Sequence, residues 1–329
     1  MLFVVLYINQ SAKIPTFCRG ETLLKKTQIL LSTYNGEGYL REQLDSILAL
    51  EGAEDISLFI RDDGSTDQTR AILAEYEKHE SIRVLYGENV GLNASMQILF
   101  ENADRDCFYF AYADQDDVWL KDKVSKAVRM LDECDPAVPT LYAARSHLTD
   151  IHGNIIGETC LPTRPVCFAN ALVQNVCIGH TQVYNRAMLD LLCTHSHTDA
   201  FVIDHWAYLI ATAFGKVVFD PSLVTLYRQH GKNSIGYGNT AASKVKNRIR
   251  RARAGVPAAH AKQATALFTA FGDELSPKDR KTVTRFLASR RGFFRRLGYL
   301  LHPDAYRQGL LENLGFRMLY LFGAYNKSK

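Results

Sequence analysis

The sequence predicts an α/β fold: a central, mostly parallel sheet flanked by helices, followed by a basic, mainly helical C-terminal region. Three observations predict it. Between residues 27 and 131, short apolar runs alternate four times with turn-rich loops and helical spacings; the rhythm then breaks, and the charge balance inverts after residue 240. Successive strand-loop-helix cycles demand right-handed crossovers, hence parallel neighbours with helices on the faces.

The first cycle places a strand over residues 28–31, the loop Ser32-Thr33-Tyr34-Asn35-Gly36 with its Asn-Gly turn, and a helix carrying Leu40, Leu44, Ile47 and Leu48. The second runs from a strand at 56–60 through Arg61-Asp62-Asp63-Gly64-Ser65 to a helix with Ile72, Leu73 and Tyr76. Ser65 and Gln68 have the spacing of a capping box, which would set the start of that helix. The third has a strand at 82–86, a loop over 87–93 and a helix through Met96, Leu99 and Phe100. The fourth is an aromatic run from Phe108, the loop Asp114-Gln115-Asp116-Asp117, and a helix with Val124, Ala127, Val128 and Leu131. Further strands are expected at 140–143 and 216–219, with a hairpin turn at His152-Gly153-Asn154 and an irregular loop at 162–165. A strand approach over 175–184 is interrupted by Gly179-His180-Thr181, and an apolar helix opens near Asp204 and ends at Gly215. Residues 1–26 read as an N-terminal extension, 27–239 as the main domain and 240–329 as the basic helical region, broken at Gly255-Val256-Pro257 and Ser276-Pro277.

A 329-residue chain can bury a substantial core. Its net charge of +4 hides an asymmetry: residues 240–329 hold 19 Lys and Arg against 5 Asp and Glu, and the remainder 20 against 30. The seven cysteines form no CxxC pair and several sit in apolar surroundings, as buried free thiols do, which reads as a reducing compartment. No apolar run nears the ~20 residues that cross a bilayer. The apolar residues 1–8 lack a preceding basic segment and a cleavage site, so no signal peptide is expected.

Three carboxylates in four positions after a buried strand are expected outside its burial, at its carboxyl end, facing solvent or a cation. Crowded carboxylates raise one another's proton affinity, and Mg2+ or Mn2+ would keep them ionised; an acidic turn without a ligand is the plainer reading. Ligands of parallel sheets bind beyond the carboxyl ends of the strands. Loops at that edge would gather Asp62, Asp63, Asp114, Asp116 and Asp117.

The segments Asp62-Asp63-Gly64-Ser65-Thr66-Asp67, Asp114-Gln115-Asp116-Asp117 and Asp204-His205-Trp206, in that order, resemble the motifs of family 2 glycosyltransferases of the GT-A fold, over about residues 27–238. Within that family, residues 32–36, 113–119 and 227–233 look most like bacterial rhamnosyltransferases, which use dTDP-L-rhamnose to build cell-surface polysaccharide. The resemblance implies metal-dependent, inverting transfer from dTDP-L-rhamnose, or from a UDP-sugar, to a glycan or lipid-linked glycan. It also implies roles. Asp114 and Asp116 would form the DxD element, with Asp116 the direct ligand of Mg2+ or Mn2+, Asp114 near ribose or metal, and Asp117 behind them. His230 would be a late metal or diphosphate ligand and Arg228 a diphosphate partner. Asp62 or Asp63 would accept the imide N–H of uracil or thymine; Thr33 and Tyr34 would line the base pocket, and Arg61 or Asn93 would hold phosphate or ribose. Asp204 would take the acceptor's proton, kept ionised by the helix dipole. Where the family more often writes Glu-Asp or His-Asp, Ile203 precedes Asp204 here and His205 follows it. Gly179, His180, Thr181 and Trp206 would shape the acceptor pocket, Trp206 by stacking on a sugar.

The basic tail can be a solvated helical face, a contact for anionic lipid or a nucleic-acid surface. Phe293, Phe294, Leu297, Tyr299 and Leu300 interleave with arginines, and acceptors in this family are commonly lipid-linked at the inner leaflet. An anionic membrane surface is therefore the expected partner and nucleic acid is not, which places the protein in the cytoplasm, peripheral on the inner face of the cell membrane. Of the other classes, a catalytically silent sugar-nucleotide- or glycan-binding subunit has no need of Asp204. A nucleotidyltransferase would need a Gly-rich, Lys-containing triphosphate loop, which is missing.

Overall fold

The computed structural model describes residues 26–194, 202–230, 250 and 254–326. Strand β1 (Thr27–Thr33) is buried at all seven positions because it pairs on both sides, with parallel strands β2 (Ile56–Asp62) and β4 (Tyr109–Ala113). Its side chains alternate, Ile29 and Leu31 entering one hydrophobic cluster and Leu30 the other. Parallel β3 (Ile82–Tyr86) lies outside β2. Helices α1 (Leu40–Leu48), α2 (Thr69–Tyr76) and α3 (Leu92–Glu101) supply the crossovers. Helix α1 buries Leu40, Leu44 and Ile47 on one face of the sheet, and α3 buries Met96, Leu99 and Phe100 on the other.

Beyond β4 the parallel order ends. The chain continues through β5 (Val118–Trp119), α4 (Lys123–Asp132), β6 (Thr140–Thr149), β7 (Ile155–Glu158), the short α5 (Phe168–Ala171) and a 3-10 turn at Gly179–Thr181. It then forms β8 (Val183–Asn185), α6 (Arg186–Thr194), α7 (Ile203–Phe214) and β9 (Lys216–Arg228). The sheet order is β3-β2-β1-β4-β8-β6-β9-β5, with β7 paired to β6. Strand β8 is antiparallel to β4 and β6, β9 is parallel to β6, and β5 is antiparallel to β9. Strands β6 and β9 outrun their expected ends at 143 and 219. Their pairing shifts register between Ala143 and Ser146 and then resumes, as a bulge allows, carrying Arg228 to the acidic loop.

The expected capping box does not start α2. Asp67 Oδ1 accepts from Thr69 N–H (3.0 Å), whereas Ser65 Oγ accepts from Asn35 N–H (3.0 Å); the charged acceptor beside the first turn outcompetes the hydroxyl. Helix α7 ends at Gly215 as its sequence implies. Helices α8 (Val256–Phe271) and α9 (Pro277–Ser289) begin behind Gly255 and Ser276, and Ser276 Oγ accepts from Asp279 N–H (3.1 Å). Helices α10 (Phe293–Leu301) and α11 (Leu310–Leu321) follow. Ala261, Leu267, Val283 and Phe286 join the cluster that holds Phe168 and Tyr208, and the His205 and His260 rings meet at 5.0 Å. The N-terminal extension up to residue 25, most of the basic stretch 244–253, and the end of the 227–233 motif lie outside the described residues. No described helix is long and apolar enough to cross a membrane.

Candidate active site

Strand β4 delivers Asp114 to the carboxyl edge of the sheet, and the next three residues take different environments. The Asp114 and Asp116 side chains remain partly open, at 32% and 19% exposed; that of Asp117 is fully buried. The expectation that all three carboxylates escape burial fails at Asp117. Arg228 N–H donates to its Oδ1 (3.2 Å), replacing water there, and His180 Nδ1 faces its Oδ2 at 3.3 Å. Burial, then the charges of Asp116 and Asp114, pushes the Asp117 carboxyl well above the usual carboxylate range. Burial and Asp114 also raise Asp116, against the pull of His230, whose Nε2 lies 2.7 Å from Asp116 Oδ2.

His180 does not line an open acceptor pocket. Its ring is fully buried beneath the acidic loop because Ser146 Oγ holds Nε2 at 2.8 Å and turns Nδ1 inward. Asp114, Asp117 and His180 offer three ligand atoms within 4.8 Å of one another. Asp117 Oδ2 and His180 Nδ1 complete no hydrogen bond among the described residues. Burial lowers the His180 pKa, favouring the neutral imidazole that binds metals. This set of two carboxylates and an imidazole fits a divalent cation such as Mn2+. Asp116 and His230 form a second pair nearer solvent.

Around the rim, Thr33 is buried while Tyr34 is 45% exposed. Gln115 ties both to the acidic loop: its Oε1 accepts from Thr33 Oγ1 (2.6 Å) and Tyr34 N–H (2.9 Å), and its Nε2 donates to Tyr34 O (3.2 Å). Asp62 and Asp63, expected to read a base, are already engaged. Asp62 accepts from Arg70 Nε (2.7 Å) and Ser65 N–H (3.2 Å); Asp63 accepts from Val90 N–H (2.9 Å), Gly91 N–H (2.8 Å) and Arg61. Both are buried, so they shape the rim. Gly64, at φ 80°, lets the two loops close; a Cβ there would lie 2.6 Å from Asn89 N. Arg61 donates to Ser95 Oγ and Glu88 O as well as Asp63 and presents no free fork to a phosphate. Arg228 is buried too, donating to Asp116 O (3.2 Å), Ile151 O (3.0 Å) and Glu42; it fastens the acidic loop instead of awaiting a diphosphate. Asn93 Oδ1 accepts from Ile203 N–H (3.0 Å), tying α3 to the start of α7.

Asp204 sits in the first turn of α7, where its Oδ2 accepts from Gly179 N–H (2.9 Å). Gly179 adjoins His180, so one 3-10 turn joins Asp204 to the acidic cluster, and the charge of Asp114 is felt at Asp204. Burial raises the Asp204 pKa to about 7, with the Gly179 bond pulling down and Asp114 adding to the rise. The helix dipole, worth about 0.3–1 kcal/mol, does not offset desolvation, contrary to the sequence expectation. A carboxyl poised near neutrality suits proton transfer. Trp206 is 1% exposed in the core and not available to a sugar: two residues on, it points about 200° around the helix from Asp204. His205 Nε2 meets Ala171 O at 2.7 Å, and burial pushes its pKa down to about 4, so its role is structural. Thr181 Oγ1 donates to Ile178 O (2.8 Å) and holds the turn. A Cβ on Gly179 would lie 2.9 Å from the Tyr112 ring and 3.1 Å from Asp204 Cβ.

Sequence reasoning missed Lys123. It is fully buried, its Nζ donates to His180 O (2.7 Å) and lies 3.4 Å from the Trp119 ring centroid, and burial lowers its pKa well below that of a free lysine. The signal was its spacing of four and eight from Ala127 and Leu131, on the buried face of α4.

The sequence profile described as Glycosyl transferase family 2 matches residues 28–192. The dTDP-rhamnosyl transferase RfbG of Shigella flexneri is 38% identical over 106 residues, 31% of this chain and 36% of that protein. Among solved structures, S. aureus TarS 1-349 in complex with UDP-GlcNAc is similar at TM-score 0.53 and 15% identity, covering 91% of this chain and 89% of that one. The mannosyltransferase PcManGT of Pyrobaculum calidifontis, in complex with GDP-Man and Mn2+, is similar at TM-score 0.51 and 16% identity, covering 92% and 86%. These likenesses at low identity establish a shared GT-A fold. With its profile match over half the chain, the chain belongs to glycosyl transferase family 2.

Proposed function

We propose that this chain is a metal-dependent, inverting glycosyltransferase that moves L-rhamnose from dTDP-L-rhamnose to a glycan, or lipid-linked glycan, in cell-surface polysaccharide synthesis. The observation that carries the reading is the buried Asp204 carboxyl, joined through Gly179 to the carboxylate cluster. In the transfer, an acceptor hydroxyl oxygen bonds to the anomeric carbon as the bond to the diphosphate breaks. The electron pair leaves with the nucleoside diphosphate, and the hydroxyl proton passes to Asp204. A divalent ion would neutralise charge developing on the departing diphosphate. Asp114 and Asp116, with His230, are its proposed holders on the open side of the loop, and Asp114, Asp117 and His180, whose ligand atoms lie within 4.8 Å of one another, are the alternative set. Tyr34, open at the rim, is the proposed platform for the base. The likeness to RfbG supports the dTDP-rhamnose donor, and the fold shared with TarS supports a UDP-sugar as the second reading. Incubation with a panel of dTDP- and UDP-sugars and Mg2+ or Mn2+, monitoring nucleotide release, tests the proposal. Release from dTDP-rhamnose is expected, and release from UDP-sugars alone selects the second reading.

A further inference from the structure

Helices α10 and α11 pack on each other through Tyr299, Phe316 and Tyr320, with the Tyr299 and Tyr320 rings 4.9 Å apart. Their outer faces are apolar as well. Phe294, Leu297 and Leu301 recur at i, i+3 and i+7 on α10; Leu310 and Leu314 lie four apart on α11, with Phe322 at its end. Phe294 is 83% exposed and Leu310 92%. Large apolar side chains gathered in the open on adjacent helices mark an interaction surface. Arg291, Arg295 and Arg317 stand exposed on the same segments, flanking these side chains, with no ion-pair partner among the described residues. The acids nearby are engaged: Asp304 with Arg285 at 2.8 Å, Glu312 with Arg307 at 3.6 Å.

We propose that the outer faces of α10 and α11 seat the protein on an anionic lipid bilayer, Phe and Leu side chains entering the acyl boundary and the three arginines meeting lipid phosphates. This narrows the sequence expectation, since Tyr299 is buried and takes no part. A second copy fits less well, because a two-fold contact across this face would crowd arginines against their own kind. The seat is tied to the segments on either side of α5: Thr163 and Arg164 N–H donate to Gln308 Oε1 at 3.0 and 2.8 Å, and Arg307 Nη1 donates to Val173 O at 2.8 Å. The purpose, holding a lipid-linked acceptor at the site, rests on the proposed function; lipid binding itself does not.

Truncating the tail would strip α8 and α9 from the core, so the test uses the full chain. Sedimentation with phosphatidylcholine vesicles, with and without phosphatidylglycerol, should show binding only to the anionic ones, weakened by salt. A Phe294→Ser/Leu310→Ser/Leu314→Ser variant and an Arg291→Ser/Arg295→Ser variant should each bind roughly tenfold or more weakly, with unchanged melting temperatures. Three results overturn the seat: wild-type protein that ignores anionic vesicles, an apolar variant that binds like wild type, or light scattering showing a dimer that the apolar variant dissociates. Nucleotide release from dTDP-rhamnose, measured on the same proteins, should be unaffected by either variant. Its absence from wild type, alongside vesicle binding, would remove the donor reading and leave the seat standing.

Discussion

Replacing Asp204 by Asn should lower transfer by orders of magnitude while making the protein more stable, and the two effects have different pH dependences. Asn keeps an oxygen to accept the Gly179 N–H but cannot take a proton from a hydroxyl. Burial lifts the Asp204 pKa from 3.8 to about 7. Below pH 3.8 the carboxyl is neutral in both folded and unfolded chains. As the pH climbs toward 7 the unfolded chain ionises freely and the folded one resists, so stability is lost across that window and stays lost above it. At ~1.36 kcal/mol per pKa unit the loss reaches up to about 4 kcal/mol. Asn does not ionise, so the variant should melt near wild type at pH 4 and higher by up to about 8 °C at pH 8, at ~2 °C per kcal/mol. Wild-type transfer should fall tenfold per pH unit below about 7, where Asp204 is protonated, and the variant should lose ~10²–10⁴-fold at pH 8. Thermal melts at the two pH values and nucleotide-release rates across pH 5–9 measure both. Transfer within tenfold of wild type, or a lower melting temperature at pH 8, would refute the reasoning.

Gly179→Ala places a methyl against Tyr112 and Asp204; a loss of ~1–3 kcal/mol in urea unfolding is expected, with turnover reduced more than donor affinity. Chelation by EDTA should stop nucleotide release and added Mn2+ should restore it. Asp116→Asn should weaken Mn2+ binding by roughly tenfold or more (about 1.4 kcal/mol), read by calorimetry, whereas equal affinity in wild type and variant would exclude Asp116 as a ligand. Arg228→Met leaves the Asp116 and Ile151 carbonyls without their donor, and about 2–4 kcal/mol of stability should go with it; unchanged unfolding midpoints would show that the loop is held otherwise.

The sequence alone determined the first four strand-helix cycles, because each element there is specified by local periodicity: alternating Ile29, Leu30 and Leu31 in β1, and Leu40, Leu44 and Ile47 at helical spacing in α1. It also made the family legible, since the acidic loop Asp114–Asp117 is recognisable by type and order and lies within the matched residues 28–192. Tertiary structure decided what each charged group is free to do. Arg228, Asn93, Asp62 and Asp63 look like ligand-binding groups until their partners are counted, and those partners lie up to 186 residues away in sequence. Whether His180 or Trp206 faces a pocket or the core depends on which elements pack over them. The Asp204 pKa depends on how much water the fold removes around it, a property of the packed cleft that no local pattern encodes.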